Sequence, residues 1–526
     1  MSVVLDALFL LTAWGHVFLA PFTKVEESFS LHATHDVLMY GVLPGALPNY
    51  DHFTFPGAVP RTFIGSLLLA WISTPVLYLA SIAGFEASKV DVQVTVRLVL
   101  ATFNAISCCL LRRAVARRFG SSTSVFFTLL SCTQFHVPFW MGRTIPNMFA
   151  LITTNIAMYL LMNRAPKSAR PHPSVTALAF SLLTFTAIVL RAEVALLVVP
   201  LALQYLLVGG ISFFSLIKVG GLTAVASIAA TTLVDSYFWQ KFPLWPELHS
   251  ILFNVVEGKS ADWGVSPFRE YFTTHLPKML LTAAPLSLVG LFSDARIRAL
   301  LLPVVLFVLA LSSLAHKEWR FIVYAVPLFN VAAARGAAWI VGRRRRWLGR
   351  LGLLFVTGLL AVNCGLTYAF TRISMENYPG GSALVRFNEI YAGQPDVHVH
   401  LSNLAAQTGA SLFLQTHTPP YILSTDTSQR HHDWTYDKTE NLTSVSLTAS
   451  PEITHLIAEC PDYLDAKNKL CDVWREWPEG QWRFVETVKA FSGWSVSPTA
   501  FGSGLLQVFD MIVMVKNDAL VILERK

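Results

Sequence analysis

Nearly uninterrupted apolar stretches, each about as long as a bilayer crossing, recur through the first 370 residues and then stop. They fall near residues 3–20, 62–83, 93–111, 122–142, 146–162, 174–190, 192–208, 212–234, 276–292, 299–315, 319–341 and 348–370. A hydrocarbon core of ~30 Å takes roughly 20 helical residues to cross. Lipid offers no partner to backbone N–H and C=O groups, so each run is predicted to be helical. The pattern predicts a polytopic α-helical membrane domain over 1–370, with polar loops at 21–61 and 235–275. The first run lacks a positively charged leader and reads as a retained anchor helix. Residues 371–526 are polar, proline-bounded and aromatic-rich, with short β-prone runs at Asp396–Leu401 and Leu506–Val515. They predict a small C-terminal α+β domain.

Composition agrees with this division. Of 526 residues, 53% are hydrophobic and 14% charged, against roughly 25% charged in a soluble protein, and the mean hydropathy is +0.50. The net charge of +7 gathers in short clusters between apolar runs, where Lys and Arg mark cytosolic loops. That placement implies membrane lipid as a partner and argues against nucleic acid. Arg343, Arg344, Arg345, Arg346 and Arg350 crowd one hairpin, which is therefore expected in the cytosol. His316-Lys317-Glu318 and everything beyond residue 370 then lie across the membrane, in keeping with a glycosylation sequon at Asn441-Leu442-Thr443. Cys108, Cys109, Cys132 and Cys364 sit in apolar runs and read as packing residues. Cys460 and Cys471 lie in the polar tail and can pair as a disulfide if that tail is in an oxidising compartment. No zinc spacing, phosphate-binding loop, dinucleotide fingerprint or nucleophile elbow is present, and no metal or cofactor is expected.

Three constellations carry candidate chemistry. The first loop begins PFTKVEESFSLHATHDVLMYG and places Glu26 and Glu27 directly after an apolar run, followed by His32, His35, Asp36, Asp51, His52 and Arg61. A carboxylate after a span is often a solvated flank, but a titratable cluster this dense at a membrane surface is costly without a purpose. On a helix, adjacent residues project about 100° apart, so Glu26 and Glu27 cannot both face one site. In AHKEWRF, the cations His316, Lys317 and Arg320 surround Glu318 at the mouth of a span. Interfacial anchoring needs fewer such residues; three cations with one carboxylate suit a phosphate site with its own counter-ion. The third constellation is GRTIPN, where Arg143 falls between two apolar runs, a position equally ordinary for an interfacial arginine. In loop 235–275, Trp239, Trp245 and Trp263 suit either a sugar, a lipid or interfacial padding.

TKVEESFSLHATHDVLMYG, YDHFTFPGAVPRTF, GRTIPN, DSYFW, HKEWRF and NYPGG together resemble the dolichyl-phosphate-mannose-dependent α-1,6-mannosyltransferases of the endoplasmic reticulum, over about residues 20–385. The acidic pair and HKEWRF alone indicate the wider family, which includes α-1,2 enzymes of N-glycan and GPI-anchor assembly. The longer first-loop context separates the α-1,6 enzyme. The resemblance implies a C-type glycosyltransferase fold, a multi-pass location in the endoplasmic reticulum membrane and an active site on the lumenal face. It implies dolichyl phosphate mannose as donor and a dolichyl-diphosphate-linked seven-mannose oligosaccharide as acceptor, which receives its eighth mannose.

The family's β-linked donor gives an α-linked product. Such inversion needs one base for the acceptor hydroxyl and cations for the departing phosphate. The resemblance makes Glu26 the preferred base and Glu27 the second choice. Asp51, His52, Arg61, Arg143, His316, Lys317 and Arg320 are the expected substrate-binding residues. A sister α-1,2-mannosyltransferase and a lipid-linked sugar transporter remain the rival readings, the latter disfavoured by the lack of clear inverted repeats. Counting crossings back from the arginine hairpin puts 21–61 in the cytosol, whereas a shared lumenal site needs them opposite. Run 62–83, with Pro75 at its middle, is the one expected not to cross simply.

Overall fold

The computed structural model describes residues 2–85, 87–168, 170–343, 347–419, 434–461, 471–496 and 512–526. The apolar runs become helices, and the two polar loops contribute Val25–Tyr40 and Pro246–Ile251: α1 Ser2–Leu19, α2 Val25–Tyr40, α3 Ile64–Ile82, α4 Lys89–Phe119, α5 Ser121–Thr133, α6 His136–Met141 and α7 Pro146–Met162. They continue as α8 Pro173–Phe185, α9 Ala195–Leu207, α10 Phe213–Trp239, α11 Pro246–Ile251 and α12 Leu276–Leu280. After these come α13 Ala283–Ser293, α14 Ala295–Ser312, α15 Val326–Val341 and α16 Trp347–Met375. Among the described residues, eight helices are long and apolar enough to cross a membrane, or nine if the bent pair Tyr271–Leu280 and Ala283–Ser293 is one span. The chain is a multi-pass membrane protein.

Run 62–83, expected not to cross simply, is long and apolar enough to cross. That run is one unbroken helix, α3, with Pro75 inside it. A membrane helix tolerates the single backbone bond that proline removes when neighbouring groups re-satisfy it. The runs that break are 122–142, divided between α5 and α6, and 276–292, bent by 103° between α12 and α13. Of the arginine hairpin, Arg344–Arg346 lie outside the described residues.

The chain divides into two compact units. One comprises Met1–Phe18, Phe29–Thr74 and Val96–Phe370. Inside it, α13 and α15 cross with their backbones almost touching: a Cβ on Gly290 would lie 1.9 Å from the Ala332 carbonyl, and one on Gly336 2.2 Å from that of Leu286. Small residues at such crossings are how membrane helices gain contact where burial from water supplies no drive.

The other unit comprises Leu19–Ser28, Pro75–Thr95 and Thr371–Lys526; it thus takes in two segments that the sequence reading groups with 1–370. It holds the small α+β domain: helices α17 Pro379–Ile390, α18 Asn403–Gln407 and α19 Ser444–Ala449, with strands β1 His398–Leu401, β2 Thr435–Asp437, β3 His455–Glu459, β4 Trp482–Val496 and β5 Ile512–Arg525. One sheet has the order β2-β1-β3-β5-β4. β1 is parallel to β2 and β3, whereas β5 is antiparallel to β3 and β4. Strand alternation sends Ile457, Leu520 and Ile522 toward Leu384 and Phe387 of α17, and Leu456, Val521 and Leu523 toward Trp477 and Trp482. Of the β-prone run Leu506–Val515, Ile512–Val515 open β5, while 506–511 lie outside the described residues. Cys460 and Cys471 are joined as a disulfide with Cα atoms 5.4 Å apart. Asn441 is exposed at φ 64°, just before Thr443, which caps α19.

Candidate active site

The acidic pair opens α2, where carboxylates favour the positive end of the helix dipole. Glu26 is exposed and Glu27 buried, as neighbouring helical positions about 100° apart require. Glu27 Oε1 accepts from the Lys24 backbone N–H at 3.1 Å, closing the first turn. The residues leading into this turn sit on the NYPGG segment of the same unit. Phe22 lies over Gly381, where a Cβ would come within 2.4 Å of its ring. The Lys24 ammonium lies 5.6 Å from the centre of the Tyr378 ring. The two glycines are thereby accounted for, since a Cβ on Gly380 would meet the Ala405 carbonyl at 2.0 Å.

In the other unit, His32 pairs with Asp51 through Nδ1 at 2.9 Å, and Asp36 accepts from the Asp51 backbone N–H at 2.8 Å. Asp36 also pairs with His35 at 2.9 Å, so the titratable residues of α2 anchor the following loop. DSYFW, at the end of α10, clamps that loop from the far side. Asp235 accepts from the Phe63 N–H at 2.7 Å, the Tyr237 hydroxyl donates to the Val42 carbonyl at 2.6 Å, and the Trp239 indole donates to the Arg61 carbonyl at 2.9 Å. His52 belongs to this clamp. It is buried, bonds the Phe238 carbonyl at 3.0 Å and packs against Trp239 and Phe63. Burial lowers the basicity of its imidazole despite that bond. The contacts shown for His52 are those of packing within this clamp.

Arg143 is likewise held inside the unit. It is completely buried, with its guanidinium 4.3 Å from the Phe139 ring centre. The preceding Gly142 has no room for a side chain, since a Cβ would lie 2.4 Å from Val17. Its carbonyl accepts from the fully buried Arg97 at 2.9 Å.

Within HKEWRF the three cations have different tasks. The Lys317 ammonium donates to the Ser266 carbonyl at 3.0 Å and the Leu314 carbonyl at 2.6 Å, tying loop 235–275 to the end of α14. It is thereby committed to the backbone, which argues against the phosphate role expected of it. Arg320 and His316 flank Glu318, at 2.6 and 3.0 Å from its Oε1. Burial works against the Glu318 charge, yet Arg320 and His316 hold its carboxyl below the ordinary range. Trp319 packs on Trp140, ring centres 4.2 Å apart.

The structure adds a group that the sequence reading missed. Between the helical turn Thr186–Leu190 that extends α8 and the turn Ala192–Val194 that leads into α9, the chain breaks at Arg191. Glu193 accepts from Arg191 Nε at 2.9 Å, from Asn147 Nδ2 at 2.8 Å and from the Tyr324 hydroxyl at 3.2 Å. Asn147 also donates to the Arg320 carbonyl at 3.0 Å. Glu247, buried at the start of α11, accepts from the Ala192 N–H at 2.6 Å. Burial, opposed by Arg191, brings the Glu247 carboxyl up to about 7. Burial also acts against the Arg191 charge, but Glu193 and Glu247 outweigh it and raise that guanidinium. Burial and the nearby Arg191 bring Arg61 down to about 10. A signal for this group existed. Runs 174–190 and 192–208 are separated by one residue, too short for a loop, and opposite charges at such a junction mark a built polar site. Trp239 and Trp245 of loop 235–275 are spent on carbonyls of the same unit, leaving Trp263 exposed. Among the described residues, no three His, Cys, Asp or Glu side chains are grouped to hold a metal ion.

Residues 7–421, which contain every motif segment above, match the Alg9-like mannosyltransferase family. The chain belongs to that family. Among curated relatives, Dol-P-Man:Man(7)GlcNAc(2)-PP-Dol alpha-1,6-mannosyltransferase of Drosophila melanogaster is 39% identical over 88% of this chain and 63% of its own length. The proteins of the same name from Arabidopsis thaliana and Saccharomyces cerevisiae are 35% and 34% identical, over 84% and 93% of this chain and 84% and 88% of their own. Of solved structures, ArnT from Cupriavidus metallidurans, bound to undecaprenyl phosphate, superposes with a TM-score of 0.52 at 12% identity, over 99% of this chain and 97% of that one. This family member has the C-type glycosyltransferase fold.

Proposed function

We propose that this chain transfers mannose from dolichyl phosphate mannose to the seven-mannose dolichyl-diphosphate oligosaccharide, forming an α-1,6 linkage in N-glycan precursor assembly. The observation that carries the reading is the 34–39% identity to relatives of that name over most of the chain. The protein resides in the endoplasmic reticulum membrane, and its partners are the two lipid-linked sugars and the surrounding lipid.

In this mechanism Glu26 takes the proton of the acceptor hydroxyl as oxygen attacks the anomeric carbon from the face opposite phosphate. Because the acceptor oxygen displaces the phosphate directly, no carboxyl nucleophile is needed; the mannosyl–phosphate bond breaks and dolichyl phosphate leaves as an anion. Support for Glu26 is its exposure at the mouth of α2, where Glu27 is buried and spent on the turn. Cations take the place of a general acid for the phosphate; Arg320, Arg61 and Arg191 supply them, within one electrostatic cluster. Asp51, which is paired with His32, is assigned to a sugar hydroxyl. Residues 21–61 and the tail from 371 to 526 face the lumen, and the 343–350 hairpin the cytosol.

Purified protein supplied with dolichyl phosphate mannose and the seven-mannose acceptor is expected to yield an α-1,6-linked eighth mannose. An α-1,2 linkage, or movement of lipid-linked sugar across vesicles without a new bond, overturns the assignment. For topology, a cysteine placed near residue 40 should resist an impermeant thiol reagent in sealed microsomes, and Asn441 should carry glycan.

A further inference from the structure

Helix α11 begins by gripping both sides of the break between α8 and α9. The Trp245 indole donates to the Ile188 carbonyl at 2.9 Å, and two residues later Glu247 Oε2 accepts from the Ala192 N–H at 2.6 Å. The residue that Glu247 holds, Ala192, stands between Arg191 and Glu193 in the break, and both of these and Arg61 act electrostatically on the buried Glu247 carboxyl. On its own helix the other titratable group, His249, is exposed. Two of the cluster's carboxylates have near guanidinium partners: Glu193 holds Arg191 at 2.9 Å and Glu318 holds Arg320 at 2.6 Å. The carboxylates acting on Arg61 are Glu247 first and Glu193 second. The charge carried by Glu247 therefore decides whether Arg61 and Arg191 retain positive charge in excess.

We propose that Glu247 is a positioning residue that also sets the charge of this guanidinium cluster, and through it the affinity for the phosphate of the lipid-linked donor. This rests on the reading that the cluster receives that phosphate. With a proton on Glu247, the guanidinium charges outnumber the fixed carboxylates and attract the anion. When the proton leaves to solvent, the carboxylate neutralises part of that excess. A carboxyl near 7 is protonated below that pH and ionised above it. Donor affinity is therefore high at lower pH and falls as pH rises through about 7. The donor is a phosphodiester, whose own charge is constant across this range, so the dependence belongs to the protein.

The experiment measures binding of a short-chain, non-transferable prenyl phosphodiester to the full-length protein in detergent, from about pH 6 to about pH 8.5. Wild-type affinity is expected to weaken roughly three- to ten-fold across that range. Glu247→Gln retains an oxygen for the Ala192 N–H but not the charge, so its affinity is expected to stay flat and to exceed wild type at the alkaline end. Glu247→Asp keeps an ionisable group and is expected to keep a pH dependence, which serves if the glutamine variant does not fold. A Glu247→Gln profile that superimposes on wild type, or a wild type with no dependence, overturns the inference. Binding requires no turnover, so this result is independent of which linkage the transfer assay finds.

Discussion

Asn147 donates its amide to Glu193 Oε1 at 2.8 Å, which joins the GRTIPN segment to the break between α8 and α9. Through its contacts with the Arg320 carbonyl and the Tyr324 hydroxyl, both at 3.0 Å, the same amide reaches HKEWRF. Three segments distant in sequence are thus fixed by one side chain, and the asparagine of GRTIPN has a structural reason to be there.

Glu193 is the acceptor at the centre of that junction. Glu193→Ala leaves the mostly buried Arg191 without its carboxylate, which typically costs about 3–5 kcal/mol. Glu193→Gln keeps an oxygen for Asn147 and should unfold at a temperature between those of wild type and the alanine variant. Thermal unfolding in detergent checks the order, and equal midpoints for all three proteins would remove Glu193 from the framework.

Glu26→Gln is expected to bind both substrates and to turn over about 10²–10⁴-fold more slowly, the usual cost of losing a general base. Glu27→Gln should be milder in rate, because Glu27 is buried and its oxygen is committed to the Lys24 N–H, a bond that glutamine can keep. Separate kcat, KM and melting measurements distinguish the two. Near-normal turnover of Glu26→Gln, with Glu27→Gln or Asp51→Asn dead, transfers the role of base to the residue whose loss is silent in binding and fatal in rate.

Arg320→Ala should raise the donor KM by about 10–150-fold, which corresponds to roughly 1.5–3 kcal/mol for a charge-assisted contact. The Lys317 ammonium holds two backbone carbonyls, so Lys317→Ala should chiefly lower the melting temperature and increase proteolysis of loop 235–275. A Lys317→Ala protein of normal stability with a strongly raised donor KM would return Lys317 to the phosphate.

Gly290→Ala and Gly336→Ala each insert a methyl within 1.9 and 2.2 Å of a carbonyl oxygen on the facing helix. Helices α13 and α15 must then separate, and overpacking of this kind costs about 1–3 kcal/mol. Both variants should show reduced yield and melting temperature, whereas Gly358→Ala, in open space on α16, should match wild type. Three similar melting curves would show that the crossing tolerates separation.

The amino-acid pattern by itself determined that the chain is a multi-pass helical membrane protein ending in a small α+β domain, because apolar length and strand alternation are local properties. Its motifs were enough to indicate the family. The sequence of run 62–83 does not show whether Pro75 breaks its helix, since a proline in sequence does not reveal whether neighbouring groups will satisfy the backbone it disturbs; the structure keeps it whole. Tertiary structure decided which polar residues face outward and which hold the fold. His52 and Lys317 are expected as binding residues, yet each is engaged with a backbone carbonyl that a distant segment supplies, and Arg143 is completely buried against the Phe139 ring. Conversely, Arg191, Glu193 and Glu247 meet only because a two-helix break and a short helix more than fifty positions later pack together. Burial and partner distance are relations between segments, and they determine whether a charged side chain is ionised, spent on structure or left to act on a substrate.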